Sequence, residues 1–324
     1  METTELCYPE LHNISCRKPQ RLQDAMLFYN LLCLMSLLTV TMNLLVIISI
    51  AHFRQLHSPT NLLILSLAVS DLLVGLLLIP AEILITDSCW FLGNTLCILF
   101  YMIDLTIILS SIGNIVLISV DRYLAICDPL HYNTKVTVNR VMFCVCACWL
   151  CALIYNSLIF TDYFIDPDAV SSCYGECVVV YNHVTGNVDF VCTFIGPVTV
   201  VVVLYVRIFM VVVSQARSMQ SKVVTLHQTV TMPARKSELK AARTLGIVIL
   251  IFIVCLCPFY IPSFTGEDNE EYSSITFFFS WLWFFNSCIN PFIYASFYPW
   301  FRKTIKVIVT LEILKPHSSY ATVL

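Results

Sequence analysis

The chain has 324 residues, of which 58% are hydrophobic and only 12% are charged, and its formal net charge is −3 at pH 7. A soluble globular domain carries about 25% charged residues, so this composition excludes a soluble globule. We therefore interpret the chain as an all-α membrane protein that crosses the lipid bilayer several times, with no nucleic-acid partner.

Seven apolar runs of about 20 residues or more are long enough to cross a bilayer as helices. They predict a seven-transmembrane helix bundle over residues 25–297, between an N-terminus at 1–24 and a tail at 298–324. The first twenty or so residues are polar, so no cleavable signal peptide is expected. The runs are 25–51, 61–84, 97–126, 138–160, 187–213, 241–264 and 273–297.

Positive charges predict the orientation of the chain in the membrane. Arg17, Lys18 and Arg21 precede the first run, whereas nearly all other Lys and Arg residues follow the first, third, fifth and seventh runs. Because cytosolic loops are enriched in Lys and Arg, the N-terminus is expected outside a cell whose plasma membrane holds the chain. A glycosylation sequon, NIS, begins on the same side and predicts a glycan on Asn13.

The third run carries polar groups at several depths. Asp104 lies two turns inside its outer end, and Asp121, Arg122 and Tyr123 lie at the other end. An ionisable residue inside a span is costly unless it faces a polar cavity or a partner, so Asp104 is a candidate ligand-binding residue. The alternative is an aspartate whose hydrogen bonds are satisfied by neighbouring helices.

Other runs carry polar residues near the middle of the membrane. Asp71 lies in the second run, and Asn286 and Asn290 lie in the seventh. With Ser111 of the third run they would make an oxygen-rich site suited to a sodium ion or a proton. Asn43 in the first run fits equally well as a hydrogen-bonding residue between helices. No other metal site or cofactor is expected.

Six of the sixteen cysteines lie outside the predicted bundle or at its outer mouth. In an oxidising compartment they predict three disulfides, and 15 pairings are open from the sequence alone. The remaining cysteines fit as small apolar packing residues. The six are Cys7, Cys16, Cys89, Cys97, Cys173 and Cys177.

A set of motifs that covers all seven runs in order resembles the rhodopsin-class G-protein-coupled receptors. Within that class, the segment NSCINPFIYASFYPWF (286–301) and the first-loop segment FRQLHSPTN (53–61) are similar to trace amine-associated receptors. The class markers are Asn43, LAVSD at 67–71, Cys97, DRY at 121–123, Trp149, Pro197, Tyr205, Phe252, Cys255, Pro258 and NPFIY at 290–294.

The resemblance implies a ligand site around Asp104, which matches the acid that binds the ligand amine in aminergic receptors. A primary amine has a pKa of about 10.4 and is cationic at pH 7, so it pairs with a carboxylate. The same resemblance places four aromatic residues beside this acid. They are Phe259, Tyr260, Trp281 and Phe284.

Three positions depart from the family pattern. Leu256 replaces the tryptophan that usually follows the cysteine of the sixth span. Phe284 replaces a tyrosine whose hydroxyl would bond to Asp104, and bulky Trp283 replaces a common glycine. Asp104 is therefore expected to have one donor fewer, in a narrower pocket. Because position 284 is not a lysine, an opsin that holds retinal is excluded.

Two further acids lie near the outer ends of spans. Asp189 lies eight residues before Pro197, where catecholamine receptors usually have a serine, and the resemblance implies that it faces Asp104 across the pocket. The alternative is a solvated acid stabilised at a helix N-terminus. Glu82, two residues after Pro80, would be a third acid at the rim or an ordinary interfacial glutamate.

The resemblance also assigns disulfides and coupling residues. It implies a Cys97–Cys177 disulfide, and the additional family cysteines suggest pairing Cys7 with Cys173 and Cys16 with Cys89. Arg122 would hold the cytosolic ends of the third and sixth spans, with Glu238 as its candidate partner. The residues assigned to activation and G-protein coupling are Asp121, Arg122, Tyr123, Tyr205, Glu238, Asn290, Pro291 and Tyr294.

The segment after the seventh span predicts a short amphipathic eighth helix at the inner membrane surface, over residues 298–312. Trp300, Phe301 and Ile305 lie on one side of it, and Arg302 and Lys303 lie largely on another. The loop at 214–240 is short, polar and basic.

The favoured function is a receptor for cationic amines, most of all diamines or polyamines such as cadaverine, putrescine or spermine. The resemblance implies a heterotrimeric G protein of the stimulatory or olfactory type that raises cyclic AMP in chemosensation, together with arrestin and a receptor kinase as partners. The alternatives are a receptor for biogenic monoamines or peptides and, in another class, a cation or amine transporter. No internal repeat supports a transporter, and no nucleophile with a base supports an enzyme.

Overall fold

The computed structural model describes residues 6–11, 14–18, 25–167, 173–179, 183–223, 246–247, 249–258 and 270–323. Five helices in these residues are long and apolar enough to cross a membrane. These five are Ala25–His52, Pro59–Asp87, Asn94–Cys127, Val138–Ile159 and His183–Val223. The sixth predicted span is described at 249–258, and the seventh is the helix Glu270–Phe297.

The third span, Asn94–Cys127, lies at the centre of the bundle. It has 34 residues, so at about 1.5 Å per residue it is longer than a bilayer is thick. It packs against the second, fourth and fifth spans. Residues at its start, middle and end therefore reach one membrane surface, the membrane centre and the opposite surface.

Two spans contain a short π-helical segment directly before or around a proline. The second span is π-helical over Val74–Leu78, and Pro80 follows at once. The fifth span is π-helical over Val191–Ile195, before Pro197. Proline lacks an N–H group and its ring clashes with the carbonyl four residues earlier, so a widened turn accommodates it.

The outer surface carries a disulfide-linked cap made of residues 6–11, 14–18, 88–95 and 173–179, which we call the outer cap. The Cys97–Cys177 disulfide that the resemblance implies joins this cap to the third span. The other two predicted pairs are wrong, because the structure joins Cys7 to Cys89 and Cys16 to Cys173.

Backbone pairing explains the observed partners. The amide of Cys16 donates to the carbonyl of Tyr174 at 2.9 Å, which places Cys16 beside Cys173. The amide of Trp90 donates to the carbonyl of Gly175 at 2.9 Å, and Gly175 lies against Cys7. Cys89, the residue before Trp90, therefore lies next to Cys7.

We expect peptide mapping without reduction to recover Cys7–Cys89 and Cys16–Cys173. Cleavage after Glu10 and Arg17 separates Cys7, Cys16 and Cys89 from one another. Cleavage after Phe91, Arg122 and Glu176 separates Cys89, Cys97, Cys173 and Cys177, so each pair is resolved. Recovery of Cys7 linked to Cys173 would contradict the structure, and a reduced sample is the control.

The eighth helix is Pro299–Val309, shorter than the predicted 298–312. It ends there because the backbone turns left-handed at Leu311, with φ 56°. Its apolar side is anchored by Trp300 and Phe301, both buried. The Arg302 guanidinium donates to the carbonyls of Ala295 and Ser296 at 2.9 and 3.0 Å, which satisfies the C-terminal end of the seventh span.

The tail beyond the eighth helix folds back onto the first cytosolic loop. The Ser318 hydroxyl lies 2.9 Å from His52 Nε2, and the Arg54 guanidinium lies 4.8 Å from the centre of the Tyr320 ring. The amide of Val323 donates to the Gln55 side chain at 3.2 Å. These contacts hold the tail at the cytosolic ends of the first two spans.

Candidate ligand-binding site and coupling network

Asp104 lies in the outer half of the central span. Its Oδ1 atom is buried and accepts no hydrogen bond from any residue that the structure describes. The Glu82 carboxylate lies close enough to repel the Asp104 carboxylate. A buried carboxylate oxygen that accepts no hydrogen bond from the described residues, near a second acid, is costly, so this arrangement favours a cationic ligand.

Aromatic side chains of the seventh span belong to the same buried cluster as Ile107 of the third span. Phe284 is buried and packs edge-to-face on Trp281, with ring centres 5.3 Å apart. Phe252 and Trp283 make a similar contact at 6.1 Å. Trp283 therefore contributes aromatic surface near Leu256, where the family tryptophan is replaced by an aliphatic side chain. Phe259 and Tyr260, also predicted for the ligand site, lie outside the described residues.

Asp189 lies at the outer part of the fifth span and faces the fourth span. The Tyr155 hydroxyl donates to Asp189 Oδ1 at 3.3 Å, and the Thr193 hydroxyl lies 3.5 Å from Oδ2. Asp189 is partly buried rather than fully exposed. Tyr155 and Thr193 were missed in the sequence, because a hydroxyl within an apolar run gives no sign of the helix that it faces.

A small cavity lies between Asp189 and the third span. Ile108 lines it, and Asp104 lies one turn earlier on the same face of that helix. The opposite side includes Leu256 and Trp283. Asp189 lines this cavity and Asp104 does not, so the arrangement in which the two acids face each other across one pocket stays a prediction. The cavity is lined by Leu105, Ile108, Leu109, Asn156, Asp189, Thr193, Leu256 and Trp283.

A second polar cluster lies deeper in the bundle, around Asp71. The Asn290 side-chain amide donates to Asp71 Oδ2 at 2.9 Å, which joins the second and seventh spans. Asp71 itself is fully buried. Within the described residues, four buried oxygens of the predicted sodium site have no hydrogen-bond partner. They are Asp71 Oδ1, Ser111 Oγ, Asn286 Oδ1 and Asn290 Oδ1.

This donor set fits a sodium ion, because unpaired carboxylate, hydroxyl and amide oxygens are ligands for hard cations. Asn114, which was not predicted from the sequence, lies one turn after Ser111, and its side-chain nitrogen and oxygen are also buried and unpaired among the described residues. The spacing of three residues from Ser111 is a signal that could have identified it. Asn43 instead bonds to the carbonyls of Thr39 and Ser287.

At the C-terminal end of the third span, Arg122 forms an ion pair with its neighbour Asp121. The Arg122 guanidinium also donates to the Thr60 hydroxyl at 2.6 Å, and the Tyr132 hydroxyl donates to Asp121 Oδ1 at 2.8 Å. These bonds connect the third span with the second span and the second cytosolic loop. Glu238, the predicted partner of Arg122 on the sixth span, lies outside the described residues.

The second cytosolic loop is further ordered by a charged contact. Lys135 and His131 hydrogen-bond to Asp128 at 2.9 and 2.7 Å, and these bonds lower the pKa of the Asp128 carboxyl to about 2. Thr60 and Tyr132 were both missed in the sequence, since polar residues at helix ends resemble ordinary solvated surface.

The two tyrosines assigned to activation are placed near this network. The Tyr294 side chain is fully buried and lies edge-on to Tyr298, with ring centres 6.2 Å apart. The Tyr205 ring lies against Gly246 of the sixth span and near Tyr123 of the third. Neither hydroxyl has a partner among the residues described. Pro291, the second residue of the NPFIY motif at 290–294, lies inside the seventh helix.

Comparisons with known proteins agree with this architecture. The family model described as 7 transmembrane receptor (rhodopsin family) matches residues 42–294. Trace amine-associated receptor 13c of Danio rerio is 37% identical over 98% of this chain and 96% of its own length. Trace amine-associated receptor 8c of Rattus norvegicus is 39% identical over 98% and 96%, and receptor 6 of Homo sapiens is 36% identical over 97% and 94%.

The fold and the family model define a seven-transmembrane receptor of the rhodopsin class, which confirms the predicted helix bundle. Within that class, the chain belongs to the trace amine-associated receptor family. It is therefore a multi-pass membrane receptor, and the prediction that it is not an enzyme is confirmed.

Proposed function

We propose that this receptor responds to amines with two or more positive charges, with Asp104 and Asp189 each binding one ammonium group. Its family membership supports an amine ligand and a heterotrimeric G protein as partners. The observation that carries the proposal is a mainly apolar cavity that Asp189 lines from the fifth span and that Leu105, the neighbour of Asp104, lines from the third.

Charge balance supports two ammonium groups. A monoamine bound at Asp104 leaves Asp189 as a second carboxylate in the same region, and desolvating an unpaired charge is unfavourable. A second ammonium neutralises that acid. Between the charges, Ile108 and Leu109 offer apolar surface for the methylene chain, and each buried CH₂ contributes about 0.8 kcal/mol. Glu82 beside Asp104 adds a third acid that suits longer polyamines.

A monoamine is the second candidate, and the hydrogen bonds at Asp189 favour it. Tyr155 donates to Asp189, and Thr193 lies within reach, so part of the desolvation cost is offset without a ligand. The two candidates differ in what Asp189 does. In the diamine receptor Asp189 binds the second ammonium, whereas in the monoamine receptor it only links the fourth and fifth spans.

For signalling, we propose a stimulatory or olfactory G protein, cyclic AMP as the product, an extracellular N-terminus with a glycan on Asn13, and arrestin with a receptor kinase as further partners. The distribution of positive charge supports this orientation. Asn13 lies outside the described residues.

A panel of mono-, di- and polyamines on cells that report cyclic AMP tests this function. We expect saturable responses that are strongest for diamines or polyamines and absent from cells without the receptor. Radiolabelled amine uptake is measured in parallel, because uptake without a cyclic AMP response would contradict a receptor and indicate a transporter.

We also propose that sodium binds at Asp71, where it would stabilise the resting arrangement of the second, third and seventh spans. The unpaired oxygens of Ser111, Asn286 and Asn290 support this site. We expect sodium chloride to raise the melting temperature of the purified receptor more than choline chloride of equal ionic strength does. Asp71→Asn should remove this difference, whereas an unchanged difference in that variant would exclude Asp71 as a sodium ligand.

A further inference from the structure

A second cavity lies on the outside of the molecule, within the outer cap and away from the Asp104 region. It has a volume of about 350 Å³, within the usual range for small-molecule sites. Four aromatic side chains and one carboxylate line it, and none of the lining residues belongs to the Asp104 site. The five are Tyr8, Trp90, Phe91, Tyr174 and Glu176.

The aromatic residues are held in place by the backbone that carries them. The Trp90 indole N–H donates to the carbonyl of Gly93 at 2.9 Å. Tyr174 is fixed by main-chain hydrogen bonds to Ile14 and Cys16, at 2.7 and 2.9 Å. Tyr8 follows the disulfide-bonded Cys7 directly. The walls of this cavity are therefore preorganised, which reduces the entropy lost on binding.

Two of the rings remain open to the cavity and to solvent. Phe91 is 60% exposed and Tyr174 is 53% exposed. The Tyr8 and Phe91 rings meet edge-to-face, with centres 5.4 Å apart, so they present surfaces of different orientation. Exposed aromatic surface in a concave site favours a ligand that covers it.

The charge of the cavity selects the class of ligand. Aromatic faces attract a cation through the negative face of the ring, and the Glu176 carboxylate adds an opposite charge at the wall. A cation whose charge is surrounded by methyl groups gains from aromatic faces without needing hydrogen-bond acceptors. This chemistry differs from that at Asp104, where a carboxylate suits a primary ammonium.

We propose that the outer cap contains a second binding site, for methylated ammonium ions, formed by Tyr8, Trp90, Phe91, Tyr174 and Glu176. Tyr101 of the third span connects this site with the Asp104 region. The Tyr101 hydroxyl donates to the carbonyl of Cys177, and the ring lies within electrostatic range of both Glu176 and Asp104.

The test measures binding of choline to the purified full-length receptor in a choline-free detergent by equilibrium dialysis. The Asp104→Asn variant is used as the background, so that choline binding at the Asp104 site does not contribute. The probe is compared with 3,3-dimethylbutan-1-ol, a neutral alcohol of the same shape. We expect saturable choline binding in this background and binding of the alcohol that is at least roughly tenfold weaker.

Variants of the cap then locate the binding. Phe91→Ala and Glu176→Gln, each added to the Asp104→Asn background, should each weaken choline binding about tenfold. Leu92→Ala is the matched control, because Leu92 is 61% exposed, adjacent to Phe91 and absent from the cavity wall. Gel filtration of every variant confirms a folded receptor.

Three results would overturn the site: no saturable choline binding in the Asp104→Asn receptor, equal binding of choline and the alcohol, or equal losses in Phe91→Ala and Leu92→Ala. Because the measurement does not involve Asp104, its failure leaves the proposed amine response intact, and failure of that response leaves this site intact.

Discussion

Asp104→Asn is expected to abolish responses to amines while the receptor still reaches the cell surface. The asparagine keeps the shape of the side chain but removes the charge that pairs with the ammonium group. Breaking a buried ion pair costs roughly 3–5 kcal/mol, which corresponds to a loss of affinity of roughly a hundredfold to a thousandfold or more. Concentration-response curves for cyclic AMP measure the effect, with surface expression quantified in the same cells.

Asp162→Asn is the control for this experiment. Asp162 is also an outer acid, but it is exposed and lies in the short helix Thr161–Ile165, away from the residues that line the inner cavity. Its substitution should leave amine potency unchanged. Unaltered potency in Asp104→Asn at normal surface expression would reject an ionic anchor at Asp104.

Asp189→Ala is expected to weaken diamines much more than monoamines of the same length. A hydrogen bond to a charged group contributes about 1.5–3 kcal/mol, so the loss for pentane-1,5-diamine should be roughly tenfold to a hundredfold, with little change for pentylamine. The matched pair of ligands differs only in the second ammonium. Potencies for both ligands on wild-type and variant receptors give the comparison.

A structural contribution of Asp189 must be separated from a ligand contact. Tyr155 donates to Asp189, so Tyr155→Phe removes that hydrogen bond and leaves the carboxylate in place. If Asp189 binds the second ammonium, Tyr155→Phe should keep the preference for the diamine. Equal losses of both ligands in Asp189→Ala would show that Asp189 only connects the two helices.

The spans were predictable because hydropathy alone determines which segments can cross a bilayer. The apolar run at 97–126 became the helix Asn94–Cys127, and the run at 25–51 became Ala25–His52. The run at 61–84 is shorter than the observed helix, which begins at Pro59. Ser58 accepts a hydrogen bond from the Asn61 amide and caps that helix, a local signal that hydropathy does not register.

The disulfide partners were not predictable in the same way. Six cysteines allow 15 pairings, and the choice depends on which backbone strands meet in the outer cap. An isolated β-bridge, a backbone pairing between Ser15 and Tyr174, fixes Cys16 beside Cys173. No pattern in the sequence predicts such an isolated pairing. The resemblance to related chains implied three pairings, and in the structure two of them exchange partners.

The polar residues deep in the membrane were predictable only in part. Their depth followed from their positions in apolar runs, and the bond between Asp71 and Asn290 brings two of them together. The partners Thr60 and Tyr132 of the Asp121–Arg122 pair were not identified. Their recognition requires the relative rotation of neighbouring helices, which packing sets and hydropathy does not.

The affinity of the purified wild-type receptor for pentane-1,5-diamine and for pentylamine tests the central claim most directly. Both ligands carry one ammonium for Asp104 and the same five methylene or methyl carbons, so the difference reports the second charge alone. Two carboxylates that each bind an ammonium predict that the diamine binds at least roughly tenfold more tightly. Equal affinities, or tighter binding of pentylamine, would contradict a receptor built for two positive charges.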